Sequence, residues 1–337
     1  MNVLLTGGAG YIGSHTALEL LRAGHDVVIA DDFSNSSESS VRAIEKETGK
    51  KVRLYACDVS DALKCKMIFE ENKFDAVIHF AGYKAVGESV AKPLMYFRNN
   101  FLSAIAVLES MLEHGVNLFV FSSSATVYGT CQDMPLVESS SLGVTSPYGR
   151  TKLVIEQMCE DVCKANPDFK AVMLRYFNPI GADASLAVGE NPKGIPNNLM
   201  PYLCKVASGE LDHLSVFGKD YDTPDGTCIR DFIHISDLAS GHMAAVEKSG
   251  SLPKGISCFN LGTGKGTSVD ELVSIFNSVN GNKVKFVYAG RRPGDVPVSY
   301  ADVSKANEVL GWKASHSLED ACATAYAYQM KCSEGRH

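Results

Sequence analysis

Tyr148 and Lys152 stand four residues apart in Tyr148-Gly149-Arg150-Thr151-Lys152, a spacing that puts both side chains on one face of a helix. A phenol paired with an ammonium can serve as a base. Free tyrosine titrates near ~10, and an adjacent positive charge favours the phenolate, so Lys152 is expected to bring Tyr148 toward working pH. Proton transfer from a reacting hydroxyl is efficient when that match is reached. The same five residues also suit an amphipathic helix with one aromatic and one snorkelling lysine. The rest of the chain has to decide.

The elements that would position such a base begin at the N-terminus. Asn2 to Thr6 is an apolar run too short for a helix, and it leads directly into Gly7-Gly8-Ala9-Gly10-Tyr11-Ile12-Gly13. This reads as a buried parallel strand, a tight turn, and a helix from Tyr11 to about Arg22. Gly7, Gly10 and Gly13 permit the turn, close approach of a diphosphate to bare backbone, and close packing of the helix, whose N-terminus with Tyr11 and Ile12 would face that diphosphate. A second strand, Asp26 to Asp31, ends in an acid eighteen residues past Gly13. Asp31 is placed to accept from an adenosine ribose 2′-hydroxyl and to repel a 2′-phosphate, which points to NAD over NADP.

Strand and helix patterns then alternate: strand Lys51 to Cys57, helix Asp61 to about Glu71, strand Asp75 to Phe80, helix from about Leu94 to His114, strand Leu118 to Ser122. Such alternation predicts an α/β chain with a Rossmann-type doubly wound parallel sheet. Ligands of these sheets bind beyond the carboxyl ends of the strands. Three motifs lie there: Asp58-Val59, Phe80-Ala81-Gly82 with Lys84, and Ser122-Ser123-Ser124-Ala125-Thr126. Together they would form one rim.

At 337 residues, with 45% hydrophobic and 21% charged residues, the chain can bury a large core. Its formal net charge of −7 argues against a nucleic-acid partner. No apolar run is long enough to span a bilayer and no leader is evident, so no membrane association and a cytoplasmic location are expected. The ten cysteines show no Cys-x-x-Cys, and the close pair Cys159 and Cys163 lacks histidine partners, so core packing is expected and no metal.

With the glycine turn, the serine run and the Tyr148/Lys152 pair in this order, the chain resembles the extended short-chain dehydrogenase/reductases. Further blocks make it similar, over essentially the full length, to their UDP-glucose 4-epimerase branch: 80–89, 122–129, Arg175-Tyr176-Phe177-Asn178-Pro179 and Pro196-Asn197-Asn198-Leu199-Met200-Pro201. The resemblance implies a catalytic set of Ser124, Tyr148 and Lys152. It implies an NAD that stays bound, with Asn35, Asn99, Ser122 and Tyr176 added to the cofactor residues above, and a homodimer. The substrates implied are UDP-glucose and UDP-galactose. Arg230 and Arg292 would clamp the diphosphate, with Phe177, Asn178, Asn198, Leu199, Val216, Phe217 and Asp295 on nucleotide or sugar. Phe232 stands where the family commonly has tyrosine. Ser299 corresponds to a wall of the sugar pocket; its small size implies that UDP-GlcNAc and UDP-GalNAc are accepted too.

Relatives that eliminate water carry an acidic pair where this chain has Ala125 and Thr126, which disfavours a dehydratase. A dehydratase, a nucleotide-sugar oxidoreductase and a non-enzymatic NAD-responsive binding protein are the competing readings. The expected organisation is residues 1–176 as the NAD-binding domain carrying the Tyr/Lys helix. Residues 177–337 would form a smaller mixed α/β substrate domain, with some chain returning to the first. The stretch Asn260 to Ser268 imitates a triphosphate loop but lacks its ending, and is expected to be a strand end, a turn and a helix cap at Ser268.

Overall fold

The computed structural model describes residues 1–131, 133–194, 196–281, 284–292 and 294–334. The first half runs β1 (Asn2–Thr6), α1 (Tyr11–Arg22), β2 (Asp26–Asp31), α2 (Glu38–Thr48), β3 (Arg53–Ala56), α3 (Ala62–Glu70), β4 (Ala76–His79), α4 (Val86–Ala91), α5 (Pro93–Glu113), β5 (Leu118–Ser124), α6 (Pro147–Ala165) and β6 (Lys170–Tyr176). The second half adds β7 (Asn178–Ile180), α7 (Leu199–Ala207), β8 (Leu214–Phe217), β9 (Ile229–Arg230), β10 (Phe232–His234), α8 (Ile235–Glu247) and β11 (Gly255–Leu261). It closes with β12 (Thr267–Ser268), α9 (Val269–Asn280), β13 (Phe286–Ala289), β14 (Val298–Ser299) and α10 (Leu318–Glu334).

Seven strands form one parallel sheet in the order β11-β6-β5-β4-β1-β2-β3. The order reverses between β1 and β4, so a crevice opens beyond their carboxyl ends, where ligands of this architecture sit. The strands are apolar on both faces because helices cover both: Val3, Leu4, Leu5, Val77 and Ile78 are wholly buried. Val3, Leu5 and Ile78 pack with α1 and α8, while Leu4 and Val77 pack with α3, α5 and α6. Residues 235–261, from the second half, thus supply a covering helix and the edge strand of the first layer. A separate core joins α7, α9 and α10 to β8 and β10.

Two boundaries depart from expectation. The strand expected over Lys51 to Cys57 is only Arg53–Ala56, an edge strand whose ends gain no second neighbour. The strand expected to stop at Ser122 continues to Ser124, because Ser122, Ser123 and Ser124 stay in register with Leu174, Arg175 and Tyr176. The serine run is therefore strand, and Ser124 is its last residue.

Candidate active site

The glycine turn is held by contacts that explain each glycine separately. Gly7 has φ +68°, and a Cβ there would lie 2.7 Å from the Ala81 nitrogen. A Cβ on Gly13 would lie 2.6 Å from the Gly7 carbonyl oxygen, so α1 can approach the turn only without a side chain. At Gly10 the corresponding position meets one atom, the Gly7 oxygen at 3.3 Å, and Gly10 caps α1 with no side-chain acceptor on the first amides. That leaves a bare helix N-terminus suited to a diphosphate.

Asp31 closes the loop from below. Its carboxylate accepts from the Ala9 amide at 2.9 Å, the Phe33 amide at 2.9 Å and the Ser36 hydroxyl at 2.6 Å. A buried carboxylate so fixed, at the end of β2, suits a ribose diol and opposes a phosphate. These residues fit an NAD. Asn35 is exposed beside this turn, Asp58 is exposed with buried Val59 next to it, and Ile12 is half-buried on α1. Tyr11 reaches away from the turn, donating to the Gly181 carbonyl at 2.7 Å.

Opposite the turn, α6 presents the base. Ser146 caps the helix through the Gly149 amide at 3.1 Å, and Pro147 fills its first position, which sets Tyr148 in the first turn. Ser89 of α4 accepts the Tyr148 amide at 3.1 Å. Lys152 is buried, lies 5.8 Å from the Tyr148 ring centroid, and donates to the Ser122 carbonyl at 2.5 Å. Tyr176 donates to the Ser122 hydroxyl. Ser124, at the end of β5, accepts the Thr126 amide at 3.2 Å and hydroxyl at 3.0 Å.

The electrostatics correct one expectation. Burial pushes the Tyr148 phenol up to about 12, while its hydrogen bond with Ser124 works the other way. Burial drives Lys152 down to about 7, opposed by the Glu156 carboxylate. Lys152 is aimed at a carbonyl rather than at the phenol, so the chain's own groups do not make a phenolate at neutral pH. Desolvation outweighs the pairing that sequence spacing suggested.

The rim residues divide. Phe80 and Ala81 are half-buried beside the glycine turn, Gly82 is exposed with φ +150°, and Lys84 pairs with Glu190 at 3.6 Å. Asn99 is half-buried on α5, but its neighbour Asn100 makes the connections: its Oδ1 accepts the Tyr83 amide at 2.8 Å, and its Nδ2 donates to the Tyr83 carbonyl at 3.1 Å and to Thr151 at 3.0 Å.

On the far side, Arg230 and Arg292 converge on one carboxylate. Asp295 lies 3.7 Å from Arg230 and accepts from the Arg292 Nε and Nη2 at 3.1 and 2.9 Å. Phe217 is exposed under Arg292, 5.8 Å from its ring centroid, and Val216 is buried behind it. Ser299 pairs with Arg230 across β14 and β9. Asn178 is exposed at the start of β7. Asn198 caps α7 by position only; its side chain donates to Glu190 at 2.7 Å, leaving the amides from Leu199 onward without a side-chain acceptor. Phe177 packs with Val127, Tyr128 and Ala301, joining the Ser124 loop to the chain just after β14.

Three groups escaped sequence reasoning. Glu156 and Arg175 form a buried ion pair at 2.6 Å behind the serine run; only the spacing of Glu156, four residues past Lys152, signalled it. Asp231, next to Arg230, is buried and accepts from the Thr263 and Gly264 amides, the Thr263 hydroxyl and the Ala301 amide at 2.7 to 3.2 Å. The loop that imitates a triphosphate site therefore wraps a carboxylate of its own chain. Ser268 caps α9 in a capping box, as expected. Among the described residues no cluster of His, Cys, Asp or Glu could hold a metal ion, and no helix is long and apolar enough to cross a membrane.

The model of the NAD dependent epimerase/dehydratase family matches residues 3–262. Over 324 residues the chain is 51% identical to UDP-glucose 4-epimerase 2 of Arabidopsis thaliana, an alignment covering 95% of this chain and 93% of that protein. It is 50% identical over 329 residues to UDP-glucose 4-epimerase of Bacillus subtilis (strain 168), covering 98% and 97%. The fold superposes with a TM-score of 0.96 on a crystal structure of UDP-glucose 4-epimerase from Bifidobacterium longum in complex with NAD+ and UDP, 48% identical, covering 99% of this chain and 100% of that one.

Proposed function

The chain belongs to the NAD dependent epimerase/dehydratase family, and on that footing we propose that it interconverts UDP-glucose and UDP-galactose by inversion at C4 of the sugar. The activity is an NAD-dependent UDP-hexose 4-epimerisation. The observation that carries the reading is the meeting of Ser124, Tyr148 and Lys152 at the carboxyl end of β5, across from a glycine turn that fits NAD.

NAD, held by the glycine turn and Asp31, would supply the redox chemistry, a reversible hydride exchange with C4 of the sugar that leaves no net oxidation. The chain's residues do the rest. Tyr148 takes the 4-hydroxyl proton and later gives it back. Ser124 bridges sugar hydroxyl and phenol, and Lys152 holds the nicotinamide ribose while its charge favours the phenolate. The positive charge of a bound nicotinamide would favour the phenolate in the same direction.

Arg230 and Arg292 hold the diphosphate with the α7 amides, and Asp295, which they grip, contacts the nucleotide. The 4-keto sugar can then turn over about a fixed linkage. Ala125 and Thr126 offer no second acid and base, so water is not eliminated. Leu94, Leu102 and Leu112 expose apolar surface on α5, where Phe97 and Phe101 also stack; we place a homodimer contact there.

Ser299 is small and half-buried beside Arg230, and we read it as leaving room for a 2-acetamido group. Holoenzyme without added cofactor should convert both UDP-galactose and UDP-N-acetylgalactosamine, followed by proton NMR of the anomeric signals. Ser299→Tyr should keep the first reaction and lose the second by about 100-fold, through steric exclusion of roughly 3 kcal/mol. Undiminished acetylated-sugar turnover in that variant would exclude the role given to Ser299.

A further inference from the structure

We propose that Glu156 is a positioning residue for the reaction: through Lys152 it holds the Tyr148–Lys152 pair in its charged form, and through Ser123 and Arg175 it fixes the strand ends that carry Ser122 and Ser124. The inference rests on the reading of Tyr148 and Lys152 given above.

Tyr148, Lys152 and Glu156 follow one another at four-residue steps on α6, and Lys152 and Glu156 are only 6% and 4% exposed. A lone carboxylate at that depth would be costly, so its partners are informative. Its Oε1 accepts from the Ser123 hydroxyl at 2.5 Å and from Arg175 Nε at 3.0 Å, and its Oε2 from Arg175 Nη2 at 2.6 Å. Ser123 and Arg175 are register partners on β5 and β6. Side chains alternate along a strand, so the residues flanking Ser123 and Arg175 face the other side of the sheet. Those are Ser122, Ser124, Leu174 and Tyr176, of which Ser122 and Tyr176 belong to the cofactor residues and Ser124 to the catalytic set. Glu156 thus clamps the two strands from behind, at the step between the carbonyl that receives Lys152 and the hydroxyl assigned to the sugar.

Other groups face this pair without doing the same. His79 on β4 lies near Lys152 but is neutral, burial and then the Lys152 charge driving it down to about 3. Tyr176 on β6 and Tyr96 on α5 are phenols whose burial keeps them protonated. Glu88 on α4 is tied to Lys92 and Tyr96. Cys258 on β11 is a thiol pushed up to about 11 by burial, and Tyr128, after β5, is bound to Arg175 and Asn260. The remaining Arg175 nitrogen turns away, to Tyr128 and to the Glu138 carbonyl at 3.0 Å. Glu156 is the carboxylate whose charge reaches Lys152, and it opposes the burial that brings Lys152 down to about 7.

Tyr148 and Lys152 titrate as a pair. The reactive form, phenolate with ammonium, carries the same number of protons as the idle form, phenol with amine. A carboxylate one turn past Lys152 favours the reactive one. Removing it lowers the proton affinity of Lys152, so the acid limb of the pH–rate profile moves to lower pH and the plateau falls, while the basic limb, set by the phenol of the idle form, stays. A merely structural loss lowers the plateau and leaves the limbs in place.

The test is the pH dependence of kcat/KM for UDP-galactose with purified holoenzyme. Glu156→Gln should move the acid limb down by about one pH unit and lower the plateau about tenfold. Glu156→Asp, which keeps the charge, should restore the acid limb to its original pH. A uniform loss with unmoved limbs in Glu156→Gln would overturn the proposal. If that variant yields no holoenzyme because Arg175 is left unpaired, the double variant Glu156→Gln/Arg175→Met removes both charges. Its acid limb should still lie below the original one, and an unmoved acid limb there overturns the proposal equally. Lys152→Met separates the two levels: an unaltered profile in that variant would refute the base assignment itself, independently of Glu156.

Discussion

Tyr148→Phe holoenzyme should turn over UDP-galactose roughly 10³-fold more slowly than the unaltered chain across the whole pH range, and should still carry its NAD. The substitution removes one oxygen. It leaves the ring on α6, 5.8 Å from the Lys152 nitrogen, and leaves the Ser89 bond to the backbone amide, so the packing of the helix start is unchanged. What goes is the group that takes the proton from the 4-hydroxyl. In the unaltered enzyme the rate should fall on the acid side. Burial, partly offset by Ser124 and Glu156, holds the phenol near 12 and Lys152 near 7, and each step toward lower pH fills the pair with a second proton that disables the base. The variant has no such pair and should show no such limb. Progress curves with a spectroscopic measure of bound cofactor check both halves; a rate within tenfold of normal would mean that Tyr148 is not the base.

Gly7→Ala should be recovered without bound NAD and should be less stable by roughly 3 kcal/mol or more. Two effects add. An L-residue at φ +68° costs about 1–2 kcal/mol, and the new methyl would sit 2.7 and 2.9 Å from the nitrogen and Cα of Ala81. Both atoms are backbone, so no rotamer change relieves the contact, and the loops after β1 and β4 must part. Those loops form the two sides of the crevice at the switch point. Gly24→Ala is the control: it has φ +92° but open space around the Cβ position, so it should pay the conformational cost alone and keep its cofactor. Equal cofactor content in the two variants would show that the close approach at Gly7 is unimportant.

The parts of this architecture that were legible in the sequence are those in which local pattern and tertiary role coincide. β1, α1 and β2 begin and end where the apolar run, the glycine turn and Asp31 say they should, because each boundary is set by residues inside it. α2 was not foreseen: it buries little beyond Val41 and Ile44 and is otherwise a polar stretch with a serine cap. Long-range contacts were not legible at all. Asp231 finds Thr263, Gly264 and Ala301, residues 32 to 70 positions away, and nothing near Asp231 announces them.

The same limit explains the local departure at the site. Spacing showed that Lys152 could reach Tyr148, but not that Lys152 is buried, that the phenol is desolvated and that Lys152 spends a bond on the Ser122 carbonyl, so the sign of the phenol's shift came out opposite. Asn100, beside the Asn99 named by resemblance, ties α5 to Tyr83 and Thr151, contacts that spacing does not show. Arg230, Arg292 and Asp295 do come together, though in the chain itself the two guanidinium groups share the Asp295 carboxylate.

The central claim is that the C4 hydrogen leaves as hydride, stays inside the site and returns to the same carbon. UDP-galactose carrying deuterium at C4, incubated with holoenzyme in ordinary water without added NAD, tests it in one NMR experiment. The account predicts UDP-glucose that keeps its deuterium at C4. Product with protium at C4, or a dehydrated sugar, would contradict it.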